Sequence, residues 1–266
     1  IVGGNYGHSN YDRLTLRSNT NYNLFDESNE RSWLNKADVA VNLSYMRTHS
    51  TGVNTNSEYG SILGSALYMS PVLTPTVWGD YAKGMINTYE TVDEKTGEKK
   101  YELPRDANGN PYTVVGYGGS YQEMNNPLAV MVAQTPTKNW SHKFVPSISL
   151  DLQLWDNLKY RFSYNADMGF WGSDSYTLNK YYLSGNNNKT HTEASKSTNS
   201  GTTWQVENVL SYDKTIKKHT FGVVLGQSAM KSKGDYVGAS RWNLVNIDKP
   251  SVDYATGNYE FGYLLD

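Results

Sequence analysis

Asp106, Asn108 and Asn110 stand at alternate positions in DANGNP (106–111), the opening ligand pattern of a calcium-binding loop. Such a loop needs glycine at its sixth position to turn and a bidentate glutamate at its twelfth. Counted from Asp106, those positions hold Pro111 and Tyr117. The Asn108-Gly109 pair explains the stretch better, as a hairpin turn. GYGGSY (116–121) has the glycines of a phosphate cradle, but no Lys-Ser/Thr follows and no helix opens after it, so it reads as a loop bend. Neither paired carboxylates, nor a nucleophile with its base, nor a metal cluster emerges, and catalysis has no positive support. The chemistry left is recognition. Trp78, Tyr81, Tyr112, Tyr117 and Tyr121 lie in a long polar connection, and a flat apolar ring with a polar handle can stack on a sugar or on a peptide side chain. Trp78, Tyr81, Tyr117 and Tyr121 are the candidate substrate contacts; no cofactor is implied.

The opening Ile1-Val2-Gly3-Gly4 is also how an activated chymotrypsin-like protease begins. Its nucleophile, base and orienting carboxylate each need a recognisable local context. His8, His49, His142, His191 and His219 sit in none of them, no Gly-Asp-Ser-Gly occurs, and there is no cysteine. The same lack of cysteine excludes a disulfide scaffold and a thiolate metal site. A net charge of −2 gives no basic field to hold nucleic acid. Of the residues, 13% are aromatic, in a chain only 38% hydrophobic, a combination that suits strands joined by polar loops. No apolar run approaches the roughly 20 residues of a membrane helix, so any membrane crossing must use strands. With neither an initial Met nor a leader, the expectation is a mature product or an internal section.

The elements that position these residues show in a period of two. In 158–168, Leu158, Tyr160, Phe162, Tyr164, Ala166 and Met168 alternate with Lys159, Arg161, Ser163, Asn165 and Asp167. Upstream, Phe144, Ile148, Leu150, Leu152 and Leu154 alternate with Ser147, Ser149, Asp151 and Gln153, and Trp155-Asp156-Asn157 joins the two as a hairpin. The pattern repeats in Leu14, Leu16, Tyr22 and Leu24 opposite Arg13, Arg17 and Asn19, returning through Val39, Val41, Leu43 and Tyr45. It repeats again from Trp204 to Tyr212, with a return through Phe221, Val223 and Leu225. Six antiparallel strands are predicted near 10–25, 36–49, 140–155, 158–171, 202–213 and 218–231. Short turns alternate with long connections over 50–137, 172–201 and from about 233. A soluble sandwich mixes loop lengths at both ends, whereas an outer-membrane barrel keeps short turns on one side and long loops on the other. The all-β reading is therefore a partial transmembrane antiparallel β-barrel with long extracellular loops. Leu150, Leu152, Phe162 and Tyr164 should face lipid, and the lumen-facing set is Arg13, Arg17, Arg161 and Asp167, which could guide substrate or hydrogen-bond a plug. Trp33, Tyr45, Trp155, Trp171, Trp204 and Tyr212 are expected in an interfacial girdle. A short helix within 57–69, with Ile62, Leu63, Ala66 and Leu67 on one side, should pack a loop on the barrel rim.

Four stretches go beyond pattern: GNYGHSNYDRLTLRSNTNYNLFD (4–26), NTNSEYGSILGSALYMSPVLTP (54–75), MNNPLAVM (124–131) and WQVENVLSYDKTIKKHTFGVVLGQSAMKSK (204–233). Together they resemble the SusC/RagA family of TonB-dependent outer-membrane transporters, in the order and spacing of its middle barrel section. The resemblance implies that 1–266 is an internal section of the barrel domain, with the plug and remaining strands absent. It further implies import of an oligosaccharide or peptide across a Gram-negative outer membrane, energised by TonB and assisted by a SusD-like surface lipoprotein. A structural or adhesive outer-membrane barrel is the alternative.

Overall fold

The computed structural model describes residues 9–25, 33–52, 61–92, 97, 100–118, 124–184 and 190–265. Seven strands form one antiparallel sheet in chain order: β1 (Asn10–Phe25), β2 (Lys36–Gly52), β3 (Thr137–Trp155), β4 (Leu158–Thr177), β5 (Glu193–Ile216), β6 (His219–Trp242) and β7 (Tyr259–Leu265). All six predicted strands are present. They run longer than their apolar alternation, and β7 is an addition. The stretches 172–177, 193–201 and 233–242, predicted as loop, are strand, because their Ser, Thr, Asn and Lys residues join the ladder through backbone groups without marking a face.

Residues directly opposite one another in a ladder share a face. The register aligns Thr20, Val41, Ile148, Tyr164, Val206 and Ala229 across the first six strands, and one row nearer the short turns aligns Tyr22, Val39, Leu150 and Phe162. The other face carries Asn19, Asn42, Ser147, Asn165 and Gln205, then Asn23, Asp38, Asp151 and Arg161. Along β4 the apolar face is unbroken from Leu158 to Phe170, which is about 40 Å of strand. At a tilt near 45° that makes ~28 Å of height, close to the ~25 Å apolar band of an outer-membrane barrel.

No second layer covers this face among the described residues. The buried apolar residues within the strands are Ala37, Ala166 and Ala194, while Leu16, Ile148, Phe221 and Leu225 are exposed. A soluble sandwich would bury the large side chains. The girdle needs correction at one position. Tyr45, Trp204 and Tyr212 share the apolar face, as does Trp155, which a register shift after Gln153 brings opposite Leu158, but Trp171 falls on the polar one, opposite Ser141 and Asn199. Trp171 lies across Gly169 and Gly201, 3.2 Å from where a Cβ on either would sit. Trp33 precedes β2 and lies in no strand.

Connections at one end are tight: Asp156-Asn157 joins β3 to β4, and Lys217-Lys218 joins β5 to β6, closed by the Ile216–His219 pair. Lys217 adopts φ 57°, a left-handed conformation that side chains with a Cβ enter at a cost. Replacing Lys217 by Gly should therefore stabilise the hairpin by about 1 kcal/mol, read as a raised unfolding midpoint of the full-length protein; a lowered midpoint would contradict this account of the turn.

Long connections occupy the other end. The one between β2 and β3 carries α1 (Ile62–Tyr68), α2 (Gly79–Tyr89) and α3 (Pro127–Ala133). It holds the main apolar core: Val77, Ala82, Met85, Leu103 and Val114, with Ile86, Tyr89, Tyr117 and Tyr182 packed against it. Tyr182 comes from the β4–β5 connection, so two connections share one core. They are joined by a parallel bridge at Glu102 and Tyr181, where the Glu102 N–H donates to Lys180 O (2.8 Å) and the Tyr182 N–H to Glu102 O (2.9 Å). The α1 helix is present, with the Ser61 hydroxyl accepting from the Gly64 N–H at its N-cap. Its buried side is Ile62 and Ser65, however; Leu63 and Leu67 point to solvent, Leu67 with 83% of its surface exposed.

Candidate functional site

The cleft beside α2 is built from backbone turns upward. Asn126, buried and preceding Pro127, caps α3 through its carbonyl oxygen, which accepts from the Leu128 N–H (3.0 Å). Its amide nitrogen donates to Pro75 O (2.8 Å) and Thr113 O (3.2 Å), tying three distant segments together. Thr113 in turn donates its hydroxyl to Thr74 O, and the Val77 N–H donates to Pro111 O (3.1 Å). This framework opens a cleft of about 330 Å³ lined by Val72, Leu73, Thr74, Val77, Trp78, Tyr81 and Thr113. No charged side chain lines it, and the Thr113 hydroxyl is already engaged. The cleft therefore offers ring faces and aliphatic surface.

The candidate aromatics divide three ways. Trp78, at the N-cap of α2, and Tyr81, in its first turn, line the cleft together and stand 67% and 48% exposed. Tyr117 stands behind them, its ring 5.1 Å from that of Tyr81 and edge-on, and 5.8 Å from that of Tyr89. Its hydroxyl sits 2.5 Å from where a Cβ on Gly84 would be, so the absence of that atom admits the ring to the core. Tyr121 lies outside the described residues. Sequence reasoning missed Asn126 and α2; the Asn-Pro dipeptide ahead of an apolar run was the available signal for α3.

Charged lumen candidates sit on the polar face, mostly in pairs. Arg161 Nε donates to Asp151 Oδ1 at 2.5 Å, and Lys143 meets Asp167 at 2.7 Å. Lys36 and Asp38 pair at 2.9 Å, with Asn23 donating to Asp38 at 2.7 Å. Arg13 Nε reaches only Thr15 Oγ1 (3.2 Å), and Arg17 lies opposite Ser44. A concavity of about 480 Å³ follows this face past Lys36, Asp38, Asp151, Lys159 and Arg161. Such exposed pairs contribute little to stability, so the row is a solvated, charge-balanced wall.

DANGNP forms a turn. Asp106 and Asn110 pair through Asp106 N–H to Asn110 O (2.9 Å), and Gly109 takes φ 84° in the three-residue loop between them. Asp106 Oδ1 accepts from the N–H groups of Asn108 (2.9 Å) and Asn110 (2.8 Å). Desolvation is the largest single influence on this carboxyl and acts to raise its pKa, but the hydrogen bonds from Asn110, Asn108 and Gly109 together hold it below the ordinary Asp value. A carboxyl depressed on folding adds stability above its unfolded pKa and loses it as pH falls through the folded one. The Asn108 and Asn110 amide resonances should therefore stay fixed at neutral pH and shift together on acidification below about pH 4, and Asp106→Asn should abolish that joint transition. GYGGSY bends at Gly116 (φ 92°) and Gly118 (φ 84°); its residues 119–121 lie outside the described set.

No protein-family profile matches the chain, and no curated protein does. Solved structures do. A chain in the structure of the RagAB peptide importer in the open-open state superposes with a TM-score of 0.59 at 16% identity, over 96% of this chain and 24% of that one. The RagAB peptide transporter gives 0.60, 16%, 96% and 25%, and the closed-closed state of the importer 0.59, 16%, 96% and 25%. The chain thus spans about a quarter of the length of these neighbours. At such identity the likeness is one of fold: the open seven-stranded sheet, with its loops at one end, has the fold of a section of a SusC/RagA-type transporter barrel.

Proposed function

We propose that the parent protein, of which this chain is a section, imports an oligomeric nutrient, a glycan or a peptide, across a Gram-negative outer membrane. TonB supplies the energy, and a SusD-like surface lipoprotein covers the mouth. The observation that carries this reading is the uncovered apolar face from Leu158 to Phe170, backed by a polar face on a sheet shaped like part of a transporter barrel. The short turns at Asn157 and Lys217 then face the periplasm. The connections between β2 and β3 and between β4 and β5 form an outer cap, with Trp78 and Tyr81 as its contacts to substrate and Tyr117 supporting them from behind. The protein carries cargo and is not an enzyme.

Growth of cells dependent on the intact gene, across a panel of oligosaccharides and peptides, tests the proposal. One class should support growth only when the gene is present. Exchanging Trp78 and Tyr81 together for Ala should slow uptake of that class roughly five-fold or more at limiting concentration, at ~0.5–1.5 kcal/mol per ring. Growth unchanged by deletion on every member of the panel would count against import. Orientation is tested separately: an epitope inserted at Asn187, outside the described residues, should be labelled on intact cells, and one at Thr215 should not.

A further inference from the structure

At the end of the apolar band, starting level with Phe170 on the same face of the sheet, a group of basic and aromatic side chains is left unused by the import pathway. Tyr45 and Phe144 close the band on β2 and β3; the next pair along is Arg47 with His142, and the next His49 with Trp140. These five residues other than Phe144 form one cluster. The Tyr45 hydroxyl is 2.8 Å from His142 Nδ1, and the His142 ring lies 6.5 Å from that of His49 and 5.8 Å from that of Trp140. Arg47 Nη2 and Nε approach His49 Nδ1 at 2.9 and 3.3 Å. A guanidinium has no lone pair to offer, so His49 Nδ1 accepts and its N–H is on Nε2, a donor free to turn outward. Arg47 keeps further N–H groups beyond the two directed at His49. One carboxylate adjoins the cluster, Asp12, opposite His49 on β1 and on the side away from Trp140. The next row outward holds Lys138 and Lys196 about Asp174, with Lys196 and Asp174 3.4 Å apart. Across these rows Arg47, Lys138 and Lys196 are balanced by Asp12, Asp174 and, on β6, Asp235, so the excess of positive charge is local to β2 and β3, where Arg47 and Lys138 stand.

We infer that Arg47, His49 and His142, framed by Tyr45 and Trp140, bind the phosphate of an outer-leaflet lipid headgroup. Two features select a lipid over a free anion. The donors lie in direct continuity with the apolar band, so acyl chains on Tyr45, Phe144 and Met168 would bring a phosphate to the level of Arg47. The flanking Tyr and Trp also belong to the residue types that settle at a membrane interface. This inference rests on the proposal that the apolar face meets lipid.

The full-length protein, reconstituted in phosphatidylcholine nanodiscs doped with phosphorylated lipid A or with its enzymatically dephosphorylated form, supplies the test, with retained lipid counted by native mass spectrometry. The phosphorylated form should be retained at least five-fold more. Arg47→Gln should cut that preference to about two-fold, and Arg47→Gln with His142→Gln should abolish it, while Arg47→Lys keeps most. Millimolar inorganic phosphate should not displace the lipid. Equal retention of the two lipids, a preference untouched by the double substitution, or displacement by inorganic phosphate would each overturn the inference. Entry of the protein into the nanodisc fraction is scored independently: protein that enters without the preference defeats this inference alone, and protein that never enters defeats the membrane reading beneath it.

Discussion

An arginine at Leu150 is expected to cost the full-length barrel about 2–4 kcal/mol, and one at the adjacent Ser149 less than ~1 kcal/mol. The difference is one of parity. Leu150 sits between Val39 and Phe162 on the apolar face, so a guanidinium there must be taken into hydrocarbon. Ser149 sits between Ala40 and Ser163 on the polar face, where water reaches the new charge. Phe162→Lys and Ser163→Lys should repeat the contrast on β4. Unfolding in guanidinium from lipid vesicles reads it as a midpoint shift for Leu150 and Phe162 alone. Equal shifts on both faces would mean that neither meets lipid, and the barrel reading would fall with them.

The second large effect concerns space. A Cβ on Gly172 would lie 2.4 Å from the backbone oxygen of Ser197 and 2.7 Å from the Trp140 indole. The backbone oxygen belongs to the β4–β5 ladder and cannot move aside without breaking it, so Gly172→Val should destabilise by about 3 kcal/mol. Gly226, in the middle of β6, has nothing within 4 Å of the same added atom, and Gly226→Val should stay within about 0.5 kcal/mol. Thermal unfolding of the two variants beside the parent measures both. Similar losses would show that glycine itself, rather than the close approach at Gly172, is what the sheet requires.

What could be read from the sequence follows from where side chains had to choose a face. From Leu158 to Met168 every second residue is apolar, so the two faces of the sheet differ in kind, and that contrast writes strand, register and face into the chain together. The same reasoning stops where both sides are wet. Residues 193–201 pair along β5 as regularly as the rest, yet Ser, Thr, Asn and Gly satisfy the ladder without alternation and read as loop. β7 carries Tyr259 and Phe261 in step with Val237 and Ala239, but it is short and follows a connection with no pattern of its own. Within the cap, Trp78 and Tyr81 were visible as loop aromatics. That they share one cleft was not, because their meeting depends on Asn126 reaching back to Pro75 and Thr113, and no local period records a contact across 51 residues.

Glu102 has a consequence for how the two long connections can change. Surface connections ordinarily diverge one at a time, each free to lengthen without regard to its neighbours. Here the backbone of Glu102 is bonded to Lys180 and Tyr182, and the Tyr182 ring stacks 4.4 Å from that of Tyr89, so the β2–β3 and β4–β5 connections form a single inherited unit. An insertion in either one slides a strand-like pairing out of step for both. Descendants of this chain would alter the two connections together, and lineages that change only one would be rare.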